Sequence, residues 1–426
     1  MDMSAGFGPP HARLVSAGLV LAVCSGGIPA SAQGETRMTS PASHQASTRA
    51  GGVRLRAIEA DPRSGRAAAV VVEEGALVHS ALLYPLDAQS RLQGAGDAYA
   101  QATYVLGSLD TAVRAAGTGL DRLARLHVYV ADASVTAAVD RLLAERFNGA
   151  AAPAVTIVES RMPHAGVLVA MDAVAATART TVGASERISV AGLRPTVGAG
   201  AHVAVQPEGP FVIVSGRAAP GEFEPAVRAT MEQLRADLQG VGLGLDHVVQ
   251  VKAFLGNMAR AEQLQQLVAG AFQGTAPPQV VTEWRDASLP VEIEVVAAAP
   301  GAVGAGERVS FVEPILSRYS RVARVFAGRP IFVSGLTGAS ADPAAQVREV
   351  FDELRRLLTA AGSDVRHLVK ATYYVSDKAA DQEINTIRPS VYEAARPPAA
   401  SKISVQGTGR PGKGTVIDMI AVTTGR

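Results

Sequence analysis

A chain of 426 residues is too long for one small domain, and at about 100–200 residues per domain it divides into two to four. Hydrophobic residues make up 48% and charged residues 19%, which excludes a disordered chain, while a net charge of +1 lacks the basic footprint of a nucleic-acid binder. One cysteine, Cys24, and eight scattered histidines exclude a disulfide framework and a cysteine-based zinc site, so neither metal nor cofactor is expected.

Leu14 to Cys24 reads LVSAGLVLAVC, an apolar run too short to span a bilayer. His11 and Arg13 precede it, Gly26, Gly27 and Pro29 break it, and Ala30-Ser31-Ala32 follows as an A-x-A cleavage signature. Residues 1–32 therefore read as a signal peptide, cut after Ala32, that sends the chain to the periplasm or outside the cell. Acylation of Cys24 would need a small residue before it, and Val23 stands there. Cleavage removes the cysteine and leaves no membrane anchor. Residues 33–52 are small and polar and read as a flexible linker.

The rest is one pattern written three times, over 53–179, 180–300 and 301–426. Leu120–Asp132, Leu245–Asn257 and Val365–Asp377 align at offsets of 125 (245 − 120) and 120 (365 − 245). Each copy opens with two short strands around a Gly- or Pro-containing turn. These are Ala69–Val72 with Ala76–Ser80, His202–Val205 with Pro210–Ser215, and Val322–Phe326 with Pro330–Ser334, all read as hairpins. An amphipathic helix follows, clearest where Val347, Val350, Phe351, Leu354, Leu357, Leu358 and Ala361 fall at i, i+3, i+4, i+7 spacing. Gly117, Gly242 and Gly362 stop these helices. After the aligned strand come a second helix (Val135–Phe147, Ala261–Phe272, Ala379–Tyr392) and a closing strand (Val167–Ala175, Val291–Ala298, Thr415–Val422). Pro389 is expected to kink or restart the last helix. The fold class is α+β, each unit β-β-α-β-α-β, with two helices on one face of a sheet whose other face must be buried elsewhere.

These motifs resemble the Rid (YjgF-type, reactive-intermediate deaminase) family. The third copy carries the resemblance best. Tyr319-Ser320-Arg321-Val322 is similar to the family's Tyr-Ser-Gln-Ala opening, and Ser334-Gly335 to its Ser-Gly strand end. Pro398-Ala399-Ala400-Ser401 is similar to its Pro-Ala-Arg-Ser motif, and Ile417-Asp418-Met419-Ile420-Ala421 to its terminal Ile-Glu-Ala-Ile-Ala strand. The second copy keeps Val214-Ser215-Gly216 and Val291–Ala297; the first keeps Pro153–Thr156 and Ala170–Ala175. The resemblance implies three chorismate-mutase-like domains, packed as an intramolecular pseudo-trimer around a central β-barrel with ligand clefts between repeats. It also implies a chain that is a monomer with internal pseudo-threefold symmetry, in which fusion lets each cleft diverge.

Active members of the family hydrolyse imines or enamines derived from amino acids. Such chemistry needs a cation to hold the substrate carboxylate and a group to orient water. The family's arginine position is filled by Val155, Val280 and Ala400, apolar in every copy. Asp172, Glu294 and Asp418 share one register and are the candidate water-orienting, catalytic residues; the alternative is outward-facing charge on an alternating strand. Lys402, two residues after Ala400, could supply a replacement cation or be a solvated surface lysine. Tyr319, Ser334 and Ser215 complete the substrate-binding candidates. His127, Lys252 and Thr372 share a register, as do Tyr129, Phe254 and Tyr374, and the aromatic trio reads as core. Two functions follow: a hydrolase of imine, enamine or related C=N small molecules at the inter-repeat clefts, or a non-catalytic metabolite binder or scaffold. The expected partner is a small molecule, with neither nucleic acid nor membrane.

Overall fold

The computed structural model describes residues 52–147, 152–181, 183, 185–304 and 306–425. The expected signal peptide and all of the linker before Gly52 lie outside the described residues.

The helices follow the apolar periodicity. The first helix of each repeat is Ala98–Ala115, Phe223–Gly240 or Pro343–Ala361, and each buries its apolar stripe against the sheet. Asp97 and Asp342 cap two of them by accepting from Ala100 N and Ala345 N, and Gly117, Gly242 and Gly362 follow their ends at positive φ. The second helices are Thr136–Arg146, Ala261–Ala269 and Lys378–Val391. The last does not restart at Pro389. The proline stands in the final turn, where few backbone bonds remain to lose, and Arg388 Nε donates to the Ile384 carbonyl.

The strands depart from the sequence reading in two ways. Each repeat has eight elements, with one more strand before the predicted pair and another after the second helix: Arg54–Asp61 and Ala154–Glu159, Glu186–Ile188 and Gln279–Glu283, Val309–Ile315 and Ala399–Ser404. The three expected hairpins also do not form, because the two strands of each pair splay into different sheets. Arg66–Glu74 pairs with Pro330–Leu336 of the third repeat, while Ala76–Ser80 pairs with Val169–Thr177 of its own and Val203–Gln206 of the second. Phe211–Arg217 of the second repeat likewise pairs with Tyr319–Val325 of the third.

Every sheet is therefore built from two repeats. One runs Ala154–Glu159, Leu123–Val130, Val169–Thr177, Ala76–Ser80, Val203–Gln206, Glu186–Ile188. The second runs Gln279–Glu283, Val248–Leu255, Val291–Ala298, Phe211–Arg217, Tyr319–Val325, Val309–Ile315. The third runs Ala399–Ser404, Leu368–Val375, Thr415–Val422, Pro330–Leu336, Arg66–Glu74, Arg54–Asp61. Single parallel bridges, Ala67 to Ala154, Gly200 to Ala276 and Ser320 to Ala399, join the sheets in a ring.

Three apolar cores lie between a sheet and its own helices. Two more lie inside the ring and draw on all three repeats. Val70, Val174, Ile213, Phe332 and Ile420 belong to one, and Leu82, Tyr129, Phe254, Val280 and Tyr374 to the other. The sheet faces left without helices are thus buried against one another, and this brings the three central strands together.

Candidate functional site

All eight residues of each central strand, Leu123–Val130, Val248–Leu255 and Leu368–Val375, are buried. The closing strands pair with them in one register, setting His127 opposite Asp172, Lys252 opposite Glu294 and Thr372 opposite Asp418. The structure therefore places the three predicted catalytic carboxylates inside the ring, not on open clefts, and neither as outward-facing charges.

There they are already engaged. Asp418 Oδ2 lies 2.8 Å from His127 Nε2, and Asp172 Oδ1 lies 3.4 Å from His127 Nδ1. Tyr129 OH donates to Asp172 Oδ1 at 3.1 Å. Lys370 Nζ and Ser401 Oγ both donate to Glu294 Oε2. Burial alone would raise the Asp172 and Asp418 carboxyls, but His127, Lys252 and Arg125 outweigh it and hold both below the ordinary range. Lys252 sits among three rings, 5.7 Å from the centre of Tyr129, 5.5 Å from Phe254 and 5.3 Å from Tyr374, and donates to Tyr374 OH at 2.6 Å. Burial depresses this ammonium, against the pull of Asp172, Asp418 and Glu294. The aromatic trio is core, wrapped around a buried cation. Each carboxylate is thus tied to neighbouring side chains through one of its oxygens.

The substrate-binding candidates lie at the seams between repeats, in mostly structural roles. Ser215 Oγ donates to Ser320 O at 2.6 Å and accepts from Ala400 N at 2.8 Å, both across the seam of repeats 2 and 3. Ser334 Oγ does the same across the seam of repeats 3 and 1, with Ala67 O at 2.6 Å and Val155 N at 2.7 Å. Tyr319 is half-buried against the helical core of repeat 3, with Arg321 over its ring at 5.8 Å. Lys402 turns toward its own helix, donating to Asp381 Oδ1 at 2.5 Å and Asn385 Oδ1 at 3.2 Å. It rims a shallow recess shared with Trp284 and Arg285 of repeat 2, and its ammonium is taken by this helix.

Strand register also corrects one alignment. Val155 and Ala400 pair with Leu126 and Ala371, whereas Val280 pairs with Lys252, one step further along. The residue equivalent to Val155 and Ala400 is Gln279, and Val280 is equivalent to Thr156 and Ser401. The position is still without a cation in every repeat. The shift arises because Pro278 stands where the other copies have Ala154 and Ala399, so aligning on the last proline slips by one.

With the registers fixed, the three seams differ in chemistry. Opposite Tyr129, Phe254 and Tyr374 stand Ala170, Glu292 and Val416. The seam of repeats 1 and 2 presents Leu82, Ala170 and Val280, all apolar and all in one core. A cavity beside it is lined by Leu82, Tyr84, Leu193, Pro195, Pro277 and Gln279. The seam of repeats 3 and 1 is closed: a side chain at Gly335 would come within 2.7 Å of Val416 Cγ2 and 3.0 Å of Thr156 Cγ2. At this register, among the described residues, an acid stands only at the seam of repeats 2 and 3. Glu292 lies over Gly216, where any side chain would collide with its carboxylate, and beside Ser401 of the next repeat. Burial, with the nearby Glu294 charge, pushes its carboxyl up to about 7, against the opposing pull of the neighbouring Ser401 and Lys370. The sequence offered a signal for it, since Glu292 and Glu294 alternate onto one strand face. The aspartates of the other copies match Glu294, so the shared register drew attention to that member of the pair.

The sequence profile of the family described as Endoribonuclease L-PSP matches residues 64–177, 194–299 and 312–423. The chain belongs to this family. Its three repeats are three copies of the Rid-type unit. Protein DfrA of Myxococcus xanthus is 30% identical over 113 residues, which cover 25% of this chain and 85% of that protein. A YjgF-family protein of Neisseria meningitidis is 28% identical, covering 28% of this chain and 97% of that one with a TM-score of 0.22. A YjgF/YER057c/UK114-family protein of Mycobacterium tuberculosis is 27% identical, covering 28% and 97% with a TM-score of 0.21.

Proposed function

We propose that the chain is an exported, single-chain counterpart of a trimeric Rid protein, and that it hydrolyses a small, uncharged imine or enamine at the seam of repeats 2 and 3. The observation that carries this reading is Glu292, a seam carboxylate with its pKa pushed up to about 7 beside the Ser401 hydroxyl. Near neutral pH such a group exists in both protonation states, which suits a general base that later acts as an acid. Glu292 would take a proton from water as the water oxygen adds to the C=N carbon and return it to the nitrogen, giving a carbinolamine; it would then take the carbinolamine hydroxyl proton and pass it to the nitrogen as the C–N bond breaks, releasing a carbonyl compound and ammonia. Ser401 lies beside the carboxylate, and Gly216, lacking a side chain, lets Glu292 lie across the seam. Val155, Gln279 and Ala400 give no cation for a substrate carboxylate, so the substrate class is uncharged. Cleavage of RNA, named in the family's description, finds no support in a net charge of +1.

A second reading, non-catalytic binding of an apolar metabolite, is favoured by the cavity at the seam of repeats 1 and 2. The ammonia-release assay separates the two. With carboxylate-free imines the wild type should turn over, with a rate limb near pH 7, and Glu292→Gln should lose on the order of 10²–10⁴-fold in rate. Turnover unchanged in Glu292→Gln would remove this site. No release from any imine, with saturable binding of an apolar probe, would leave the binder.

A further inference from the structure

We propose that the centre of the ring is a binding site for one small monovalent anion, of halide size, received by the guanidinium of Arg125. Arg125, Gln250 and Lys370 occupy one register, opposite Val174, Val296 and Ile420, and so form a single polar layer contributed by all three repeats. A narrow cavity of ≈ 20 Å³ opens at this layer, lined by Arg125, His127, Gln250, Lys252, Lys370 and Glu294, with Ile213, Val296 and Ile420 as its apolar wall. That volume accommodates about one water-sized particle.

The groups around it are unevenly satisfied. Lys370 is bound to Glu294, and Asp172 and Asp418 are both held by His127. Glu294, the carboxylate that lines the cavity, accepts from Lys370 and Ser401 on its Oε2. Gln250 Nε2 gives one hydrogen bond to Ser80 O at 2.7 Å, which leaves its other N–H. Arg125 is only 8% exposed, yet among the described residues it has neither an ion pair nor a side-chain hydrogen bond, and its Nε is buried without a partner. The Phe332 ring lies 5.5 Å from it, and its charge reaches Asp172 and Asp418 only through space. His79 feels this charge as well: burial and then Arg125 push its imidazole down to about 4.

An always-charged guanidinium buried without a directly hydrogen-bonded partner is costly, and folded proteins rarely leave one so. A neutral water offers it only dipoles. A halide-sized anion offers a full opposite charge in low dielectric, with N–H donors from Arg125 and Gln250 converging on it. The layer lies inside the ring, whereas Glu292 lies at a seam, so this anion is separate from the proposed hydrolysis.

The test uses bromide and the whole protein. Crystals grown with sodium bromide should show an anomalous scattering peak within hydrogen-bonding reach of Arg125. In solution the thermal midpoint should rise by about 1–3 °C per tenfold rise in bromide, with ionic strength held by gluconate. Arg125→Met should abolish that dependence. An empty or water-filled cavity in the bromide crystals overturns the proposal, as does equal bromide dependence in Arg125→Met. If that variant does not fold, the wild-type peak decides alone.

Discussion

His127 holds two aspartates from different repeats, Asp172 of its own and Asp418 of the third, so one imidazole links the start of the chain to its end. Removing one partner of such a buried set strands the other charge, at a cost of about 3–5 kcal/mol. Asp418→Asn should therefore lower stability by that order at pH 7, measured by urea unfolding. The pH dependence has a defined sign. Both aspartates titrate lower in the folded chain than in the unfolded one, so their contribution is complete above the unfolded value of about 3.9 and is lost as pH falls through the folded values. Wild-type stability should fall steeply in this acid window, and Asp418→Asn should show a shallower fall. The shared registers of these residues were legible from spacing alone. Their direction was not, because strands buried along their whole length carry no alternation of polar and apolar faces. Glu292 was hidden for a different reason: nothing local sets it apart from Glu294 until the fold lays it over Gly216 at the seam.

The turns between the splayed strands show how an element can be read correctly and paired wrongly. Gly75, Gly209 and Gly328 hold φ of 118°, 113° and 106°, a region that only glycine occupies without strain. Turn chemistry and flanking apolar runs were visible, and they match a hairpin. What decides against one is the competing edge offered by another repeat, which no local window contains. Alanine at these turns should separate backbone strain from crowding. At Gly209 no atom lies within 4 Å of an added Cβ, so Gly209→Ala should cost only the backbone term, about 1–3 kcal/mol. At Gly328 the added carbon would lie 2.9 Å from Thr423 O and 3.0 Å from Val422 Cβ, so Gly328→Ala should cost measurably more in the same unfolding assay.

At the scale of the molecule, three repeats were legible from the offsets, and the exchange of strands between them was not. The first strand, Arg54–Asp61, belongs to the third repeat's sheet. Ile58 packs in that repeat's core, Arg56 donates to Ala361 O at 3.2 Å, and Glu59 pairs with Arg356. Deleting residues 52–61 should therefore weaken hydrogen-exchange protection in helix Pro343–Ala361 and leave helix Ala98–Ala115 unchanged, an outcome opposite to what chain order suggests. The same closure sets a timetable. Ser334 bonds to Ala67 across 267 positions of chain. At about 5–20 residues per second, the earliest strands leave the ribosome roughly 15–50 s before their partners exist. During that interval they are bare β edges, able to pair with another nascent copy. A holding chaperone, or slow crossing of a membrane before folding, would protect this protein in a way that a chain of self-contained domains would not require.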